Sequence, residues 1–308
     1  MPLPTFVVIG AAKSGTTSLH RYLRSHPEIF VTEHREPSFF AHEGQQLDFR
    51  GPGDDEWSFV TDINAYLHLF DGAEGYRVVG EVSPRYLYFE RACERIKHYV
   101  PEAQVIAVLR HPVERAYSHF LMNRDRQCEP EANFRRAIER EKERADLGWG
   151  WDWRYVEAGL YHKQLERYFQ LFGKEKMKIF LYEEYSSNSG AFFTELFDFL
   201  GVDSSFRPDT TVRYRTAGLT RSYAFQAFID RPGGVKSLAK RIMPTALTKG
   251  VKARIASWNK ARPDPLTETV RQEVFEHYFE DDCKKLEGLI GKDLSQWTQG
   301  VSHGNEDA

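Results

Sequence analysis

The densest chemistry in the sequence lies in Ile9-Gly10-Ala11-Ala12-Lys13-Ser14-Gly15-Thr16-Thr17-Ser18. An apolar run, two glycines bracketing four residues, and hydroxyls opening a helical pattern predict an anion cradle. Backbone N–H groups and a helix N-terminus converge there, and the dipole favours negative charge. The spacing Gly10-x4-Gly15 matches a P-loop, but Thr16 follows the second glycine and the lysine lies inside the loop as Lys13. A nucleoside-triphosphate site wants Lys followed by Ser or Thr at that point, to reach the β- and γ-phosphates and Mg²⁺. It also wants an acidic residue closing a later strand to help hold the metal. The best later strand, Gln104–Leu109, closes on Arg110, whose charge disfavours a metal and favours a second phosphate. Glu81 closes another strand and leaves a metal open. The residues describe a nucleotide site without a triphosphate or a metal; the plain alternative is a tight βα turn with no ligand.

The elements that would carry these residues are short. Phe6–Ile9 reads as a fully buried strand, and Thr16–Arg24 as a helix with Leu19, Tyr22 and Leu23 on its apolar side. Ile29–Val31, Val78–Glu81, Gln104–Leu109 and Met177–Tyr182 read as further strands, with a helical stretch from Val113 to about Asn123. Strands apolar throughout and separated by helices predict an α/β fold: an open, mostly parallel sheet flanked by helices. Gln45–Trp57 reads as a loop, Glu129–Arg144 as an exposed, highly charged helix, and Gly190–Leu200 as a helix ended by Gly201. Thr267–Leu289 is the last ordered element. No linker interrupts the pattern, so residues 1–300 are read as one domain and 301–308 as a flexible polar tail.

Composition narrows the class. At 308 residues, 41% apolar and 28% charged, the chain is an ordinary globular one, able to build a core without staples. Forty-two basic against 45 acidic residues give a net charge of −3, which speaks against a nucleic-acid partner. Cys93, Cys128 and Cys283 are scattered and odd in number, pointing to a reducing compartment and away from a zinc site. No apolar run approaches the ~20 residues of a membrane span. Phe6–Ala12 lacks the flanks of a signal peptide, and the expected location is the cytoplasm.

At this point the sequence resembles the sulfotransferases that use 3′-phosphoadenosine 5′-phosphosulfate (PAPS), more their carbohydrate-type and bacterial branch than the cytosolic steroid and phenol branch. Gly10-Ala11-Ala12-Lys13-Ser14-Gly15-Thr16-Thr17-Ser18-Leu19 is similar to that family's 5′-phosphosulfate loop. Val108-Leu109-Arg110-His111-Pro112-Val113-Glu114-Arg115-Ala116-Tyr117-Ser118 resembles its 3′-phosphate motif. Arg35-Glu36-Pro37-Ser38-Phe39-Phe40 looks like the Lys-Glu-x-x-Phe-Phe segment of the heparan-type enzymes, and Gly80-Glu81-Val82-Ser83-Pro84-Arg85-Tyr86-Leu87 resembles another of their segments. Gly159-Leu160-Tyr161 and Leu181-Tyr182-Glu183-Glu184 add weaker agreement, so the likeness runs from residue 6 to about residue 200.

The resemblance implies a P-loop-like nucleotide fold, PAPS as co-substrate with adenosine 3′,5′-bisphosphate as product, and no metal. Gly10, Ala12, Lys13, Ser14, Gly15, Thr16 and Thr17 would hold the phosphosulfate end. Arg110 and Ser118 would hold the 3′-phosphate, Arg110 through a charge-assisted, paired contact. Tyr182 would lie near the adenine, and Arg221, in the late basic stretch Arg215–Ser222, would close over the 3′-phosphate. Half-buried packing explains Tyr182 nearly as well, and the Lys-Gly-Arg signature of heparan-type enzymes is absent, so Arg221 rests on position alone.

For catalysis the resemblance implies Glu36 as the base that deprotonates the acceptor, while Lys13 neutralises the departing oxygen. His34 is the competing base, since histidine titrates near neutral pH unaided. His111 and His119 read as packing or hydrogen-bonding residues. Ser38 stands where heparan-type enzymes often carry a histidine, and Arg35 replaces their lysine, which bears on acceptor contacts. Trp149-Gly150-Trp151-Asp152-Trp153 either offers an aromatic platform or pins the charged segment before it to the body. Lys236–Arg254 is either a site for an anionic acceptor or a solvated helix face. The reading is sulfuryl transfer to a hydroxyl, less favourably an amine, of a carbohydrate, lipid or other small acceptor. A P-loop kinase-like phosphotransferase and a non-catalytic nucleotide-binding protein of the same fold stand as rivals.

Overall fold

The structure, a computed structural model, describes residues 3–53, 59–211, 219–220, 260–261 and 264–298. Five strands form one parallel sheet: β1 (Phe6–Gly10), β2 (Ile29–Val31), β3 (Val78–Val82), β4 (Gln104–Leu109) and β5 (Met177–Leu181), in the order β2-β3-β1-β4-β5. Each expected strand is present, shifted at its ends by no more than a residue. The alternation of side chains explains why they are apolar throughout. Val7 and Ile9 of β1 enter one core, and Phe6 and Val8 enter another on the opposite face. Val105, Ala107 and Leu109 of β4 go with the first, and Ile106 and Val108 with the second. Both faces are covered, so no position on these strands can be polar without a partner.

Helix α1 (Thr16–Arg24) lies on the second face with Leu19, Tyr22 and Leu23 buried. The first face carries α2 (Phe39–His42), α3 (Ile63–His68), α4 (Glu90–Tyr99) and α5 (Pro112–Asp125), with Phe39, Tyr66, Ile96 and Val113 in its core. Gly80 is obligatory: a Cβ there would stand 2.4 Å from the Phe6 ring.

Two expectations need correction. The charged stretch Glu129–Arg144 is not one exposed helix but two short ones, α6 (Phe134–Glu139) and α7 (Glu141–Asp146), meeting at Arg140. Asn133 caps α6, accepting the Arg136 N–H at 3.2 Å. Glu129, Glu141 and Arg144 are buried. Arg144 pairs with both oxygens of Glu129 at 2.7 and 2.8 Å, and the Glu141 carboxylate accepts the N–H groups of Val156 (2.7 Å) and Glu157 (3.0 Å). These three charges pair inside the protein, while Arg135, Arg136, Glu139, Arg140, Lys142 and Glu143 stay exposed as expected. Thr267–Leu289 likewise breaks at Phe279 into helices Glu268–Tyr278 and Glu280–Ile290, and it is not the last element, since a short helix, Ser295–Thr298, follows.

Helix α8 (Tyr161–Phe172), α9 (Tyr182–Ser187) and α10 (Ser189–Leu200) complete the frame. On α10, Phe192, Phe193, Leu196, Phe197 and Leu200 are buried, and Gly201 ends it at φ 71°, as the spacing predicts. The C-terminal helices add Phe275, Phe279, Cys283, Leu286 and Trp297 to the same core as β1. All three cysteines are free and buried. Among the described residues no helix is long and apolar enough to cross a membrane. Arg221, residues 215–218 and 222 around it, the basic stretch Lys236–Arg254 and the tail 301–308 lie outside the described residues.

Candidate active site

In a parallel sheet every strand delivers its following loop to the same edge, so the loops after β1, β2, β3, β4 and β5 gather there. Neighbouring β1 and β4 send their connections to opposite sides: the chain after β1 goes to β2, and the chain after β4 goes to β5. Such a reversal, here between the ends of β1 and β4, is the usual position of ligands in open α/β sheets.

The loop after β1 stands on one side. The Ala11 N–H donates to the Val108 carbonyl at 2.8 Å, tying the loop to β4. Lys13 and Gly15 have φ of 72° and 81°, left-handed values that turn the chain sharply into α1. At Gly15 a Cβ would also meet Tyr185 at 2.9 Å and Tyr182 at 3.2 Å, so only glycine lets those rings approach the loop. No side chain caps the first turn of α1, leaving its N–H groups for another acceptor. The Ser14 hydroxyl is buried and, among the described residues, has no hydrogen-bond partner. Such a group costs free energy unless a ligand or water completes it. An anion seated over the loop fits all of these features.

Arg110 stands on the other side. Its guanidinium donates to the Lys13 carbonyl at 3.2 Å, lies 4.9 Å from the centre of the Tyr182 ring and stands 3.6 Å from Glu114. Three residues from different loops thus meet: the cradle, the strand-end arginine and the tyrosine that opens α9. Glu114, Ser118 and Met122 recur every four residues on one stripe of α5. Glu114 reaches Arg110, while the Sδ of Met122 accepts a hydrogen bond from Lys13 Nζ at 3.3 Å. Ser118, half-exposed, sits on the stripe between these two contacts. Met122 and Tyr185 were not anticipated; the four-residue spacing from Ser118 was the available signal for Met122.

Glu36 occupies another loop of the same edge, after β2. It has φ 58° and Ser38 has φ 55°, on either side of Pro37, and Glu36 is half-exposed. The Ser38 N–H donates to Ser83 Oγ at 3.1 Å, while its own hydroxyl donates to the Glu36 carbonyl at 3.1 Å. The carbonyl of His34, also half-exposed, accepts from the Thr32 hydroxyl at 3.0 Å.

Glu81, left open as a metal ligand by the sequence, is sealed inside the protein. It accepts the hydroxyls of Tyr66 (2.6 Å), Tyr86 (2.9 Å) and Ser83 (2.8 Å) and has no exposed surface. Burial pushes its carboxyl up to about 7, with the three hydroxyl donors pulling the other way. Its oxygens are committed to internal donors.

Arg85, Asp152 and His119 form a second buried group that the sequence did not reveal, since it joins three distant segments. Arg85 is 3.4 Å from Asp152, and His119 Nε2 is 3.6 Å from the same carboxylate. Burial raises Asp152, but Arg85 and His119 outweigh it and leave the carboxyl lowered. Burial pushes His119 down to about 4. His111 caps α5 by accepting the Val113 N–H at 3.2 Å, and its other nitrogen meets the Trp297 carbonyl at 3.1 Å. Both histidines act as packing and hydrogen-bonding residues, as expected.

The tryptophans take the pinning role. Trp151 and Trp153 are buried and Trp149 is half-buried. Trp153 donates to the Cys128 carbonyl at 3.1 Å, and Arg144 lies 5.0 Å over the Trp149 ring. Their faces are spent on the charged segment and on Arg85, 4.7 Å from Trp151.

Comparison with known proteins agrees with this geometry. A family model described as "Sulfotransferase family" matches residues 4–205. The chain is 31% identical over 171 residues to the membrane-associated sulfotransferase kil1 of Dictyostelium discoideum, a stretch that takes in 54% of this chain and 34% of that protein. It is 25% identical over 303 residues to bifunctional heparan sulfate N-deacetylase/N-sulfotransferase 4 of Mus musculus, covering 96% of this chain and 31% of that one. The chain thus spans about a third of the length of these two curated relatives. The crystal structure of a sulfotransferase from Alicyclobacillus acidocaldarius superposes with a TM-score of 0.76 at 30% identity, over 97% of this chain and all of that one.

Proposed function

The chain belongs to the sulfotransferase family, and from that premise we propose that it transfers the sulfuryl group of PAPS to a hydroxyl, or less favourably an amine, of a carbohydrate or other small acceptor. The observation that carries this reading is the contact of Arg110 with the Lys13 carbonyl at 3.2 Å. It sets a cationic strand end beside an anion cradle at one edge of the sheet, which suits a nucleotide charged at both its 5′ and 3′ positions. A triphosphate with Mg²⁺ would want a lysine at Thr16 and a carboxylate at Arg110.

In this reading Gly10, Ala12, Lys13, Ser14, Gly15, Thr16 and Thr17 receive the phosphosulfate, Arg110 and Ser118 receive the 3′-phosphate, and Tyr182 lies beside the adenine. An acceptor oxygen attacks sulfur in line, the bond from sulfur to the bridging oxygen breaks, and its electron pair stays on the 5′-phosphate. Lys13 offsets the charge that builds on that oxygen, and Glu36 takes the proton of the acceptor. His34 remains the rival base. The sulfated acceptor and adenosine 3′,5′-bisphosphate leave. The names of the heparan sulfate relatives support a glycan acceptor. Free, buried cysteines support a reducing compartment, and we read the cytoplasm as the location.

A thermal-shift comparison tests the donor. Adenosine 3′,5′-bisphosphate should raise the melting temperature well beyond AMP or ATP with Mg²⁺, because a ligand of the native state stabilises by mass action. A larger shift with ATP and Mg²⁺ would favour the kinase reading. Sulfur-labelled PAPS against a panel of oligosaccharides, long-chain alcohols and phenols then identifies the acceptor class. Tight product binding with no turnover on any acceptor would favour a non-catalytic role.

A further inference from the structure

Glu81 is wholly buried, lies outside the donor cradle, and carries three hydroxyl donors. In its ionised form, the one that prevails above about pH 7, this carboxylate only accepts, so the single proton of each hydroxyl is committed to it. The oxygens of Ser83 and Tyr86 are then left as acceptors, and both face the chain that follows Glu36. Ser83 Oγ accepts the Ser38 N–H at 3.1 Å, and the Tyr86 oxygen accepts the Phe40 N–H at 3.3 Å. These two amides lie at the start of α2, whose N-cap residue Ser38 makes no capping bond with its own side chain. Ser38 passes the constraint back by donating its hydroxyl to the Glu36 carbonyl. Glu36 and Ser38 both adopt positive φ without being glycine. Such conformations persist where surrounding bonds over-determine them.

We propose that Glu81 is a positioning residue for sulfuryl transfer: through Ser83 and Tyr86 it aims two acceptor oxygens at the backbone of Ser38 and Phe40 and so holds the Glu36 loop in its left-handed form. This rests on the reading of Glu36 as the base. Replacing one carboxylate oxygen by an amide NH2 leaves one oxygen for three hydroxyl donors, so Ser83 and Tyr86 are no longer both held with their lone pairs turned to the amides. The loop then loses the contacts that fix it, while the donor cradle, on other strand ends, keeps its own.

The test uses the full chain with Glu81→Gln and, as a milder change should that variant fold poorly, Ser83→Ala. Hydrogen exchange should quicken by about tenfold or more at the Ser38 and Phe40 amides in Glu81→Gln, and at the Ser38 amide in Ser83→Ala, with β1 and β4 unchanged. With the best acceptor of the panel, kcat should fall about 10- to 100-fold while KM for PAPS stays within about twofold. In a Glu36→Gln background, adding Glu81→Gln should cost less than about twofold more, since the two act through one group. Unchanged exchange at both amides, or an equal loss of kcat in the Glu36→Gln background, would overturn the positioning role. If Glu36→Gln disables the enzyme and neither other variant does, the positioning role alone fails. If Glu36→Gln leaves kcat intact, the base assignment fails and takes the positioning role with it.

Discussion

Lys13 and Arg110 touch, yet the proposed reaction gives them different tasks, and that difference can be measured. Lys13 belongs to the bend of the loop, and in the proposed reaction it meets the charge that builds as the bond to sulfur breaks. Lys13→Ala should therefore lower kcat by about 100- to 1,000-fold, the scale for losing one group that stabilises a developing oxyanion. The affinity for adenosine 3′,5′-bisphosphate should change much less. Arg110→Ala should do the reverse, weakening that ligand by about 1.5–3 kcal/mol, the range for a hydrogen bond to a charged group. Isothermal titration beside steady-state kinetics separates the two. Equal kcat in Lys13→Ala would remove the catalytic role, and unaltered affinity in Arg110→Ala would remove the 3′-phosphate site. Both residues were legible in the sequence because a strand end and a glycine-rich loop are local features. Met122, Tyr185 and the Glu81 hydroxyl cluster were not, since each acts across elements.

At the scale of elements, the segment from Glu129 to Arg144 shows how charge misleads when read along one dimension. Glu129 accepts from Arg144, from the Tyr155 hydroxyl at 2.7 Å and from the Glu131 N–H at 2.8 Å, all away from solvent. Replacing Arg144 with Met leaves that carboxylate buried without its cation. The expected loss is about 3–5 kcal/mol, read as a lower midpoint in urea unfolding. A loss under about 1 kcal/mol would place the pair in solvent, as a surface salt bridge. Helices α1 and α10 met expectation because their apolar residues keep a regular spacing on one side. The break at Phe279 escaped notice because the helices on either side of it keep a helical pattern.

For the whole molecule, buried ionisable groups set the pH response. Burial lowers His20, His42 and His119 to about 4 and His111 to about 3, against 6.5 when exposed. Between those values the unfolded chain binds more protons, so these four add stability as pH rises to 6.5. Glu81 and Glu141, raised to about 7 from 4.5, act oppositely between those two values, and Asp282 is raised as well. The histidines outnumber the carboxyls, so the melting temperature should climb from pH 4.5 to 6.5, at about 1.4 kcal/mol per pH unit for each net proton. It should then level off or dip slightly toward pH 7. A steady fall across the lower window would show that the histidines are not buried as described. The sequence by itself determined the strands, the parallel sheet, the glycine-bracketed loop after β1 and the strand-end arginine, because periodicity and loop chemistry are local. Only the tertiary structure decided which loops share an edge, that Glu129, Glu141 and Arg144 of the charged segment are buried, and that Glu81 supports the Glu36 loop. Those outcomes depend on partners 45 or more residues apart in the chain for the loop support, and on burial, which no run of residues encodes alone.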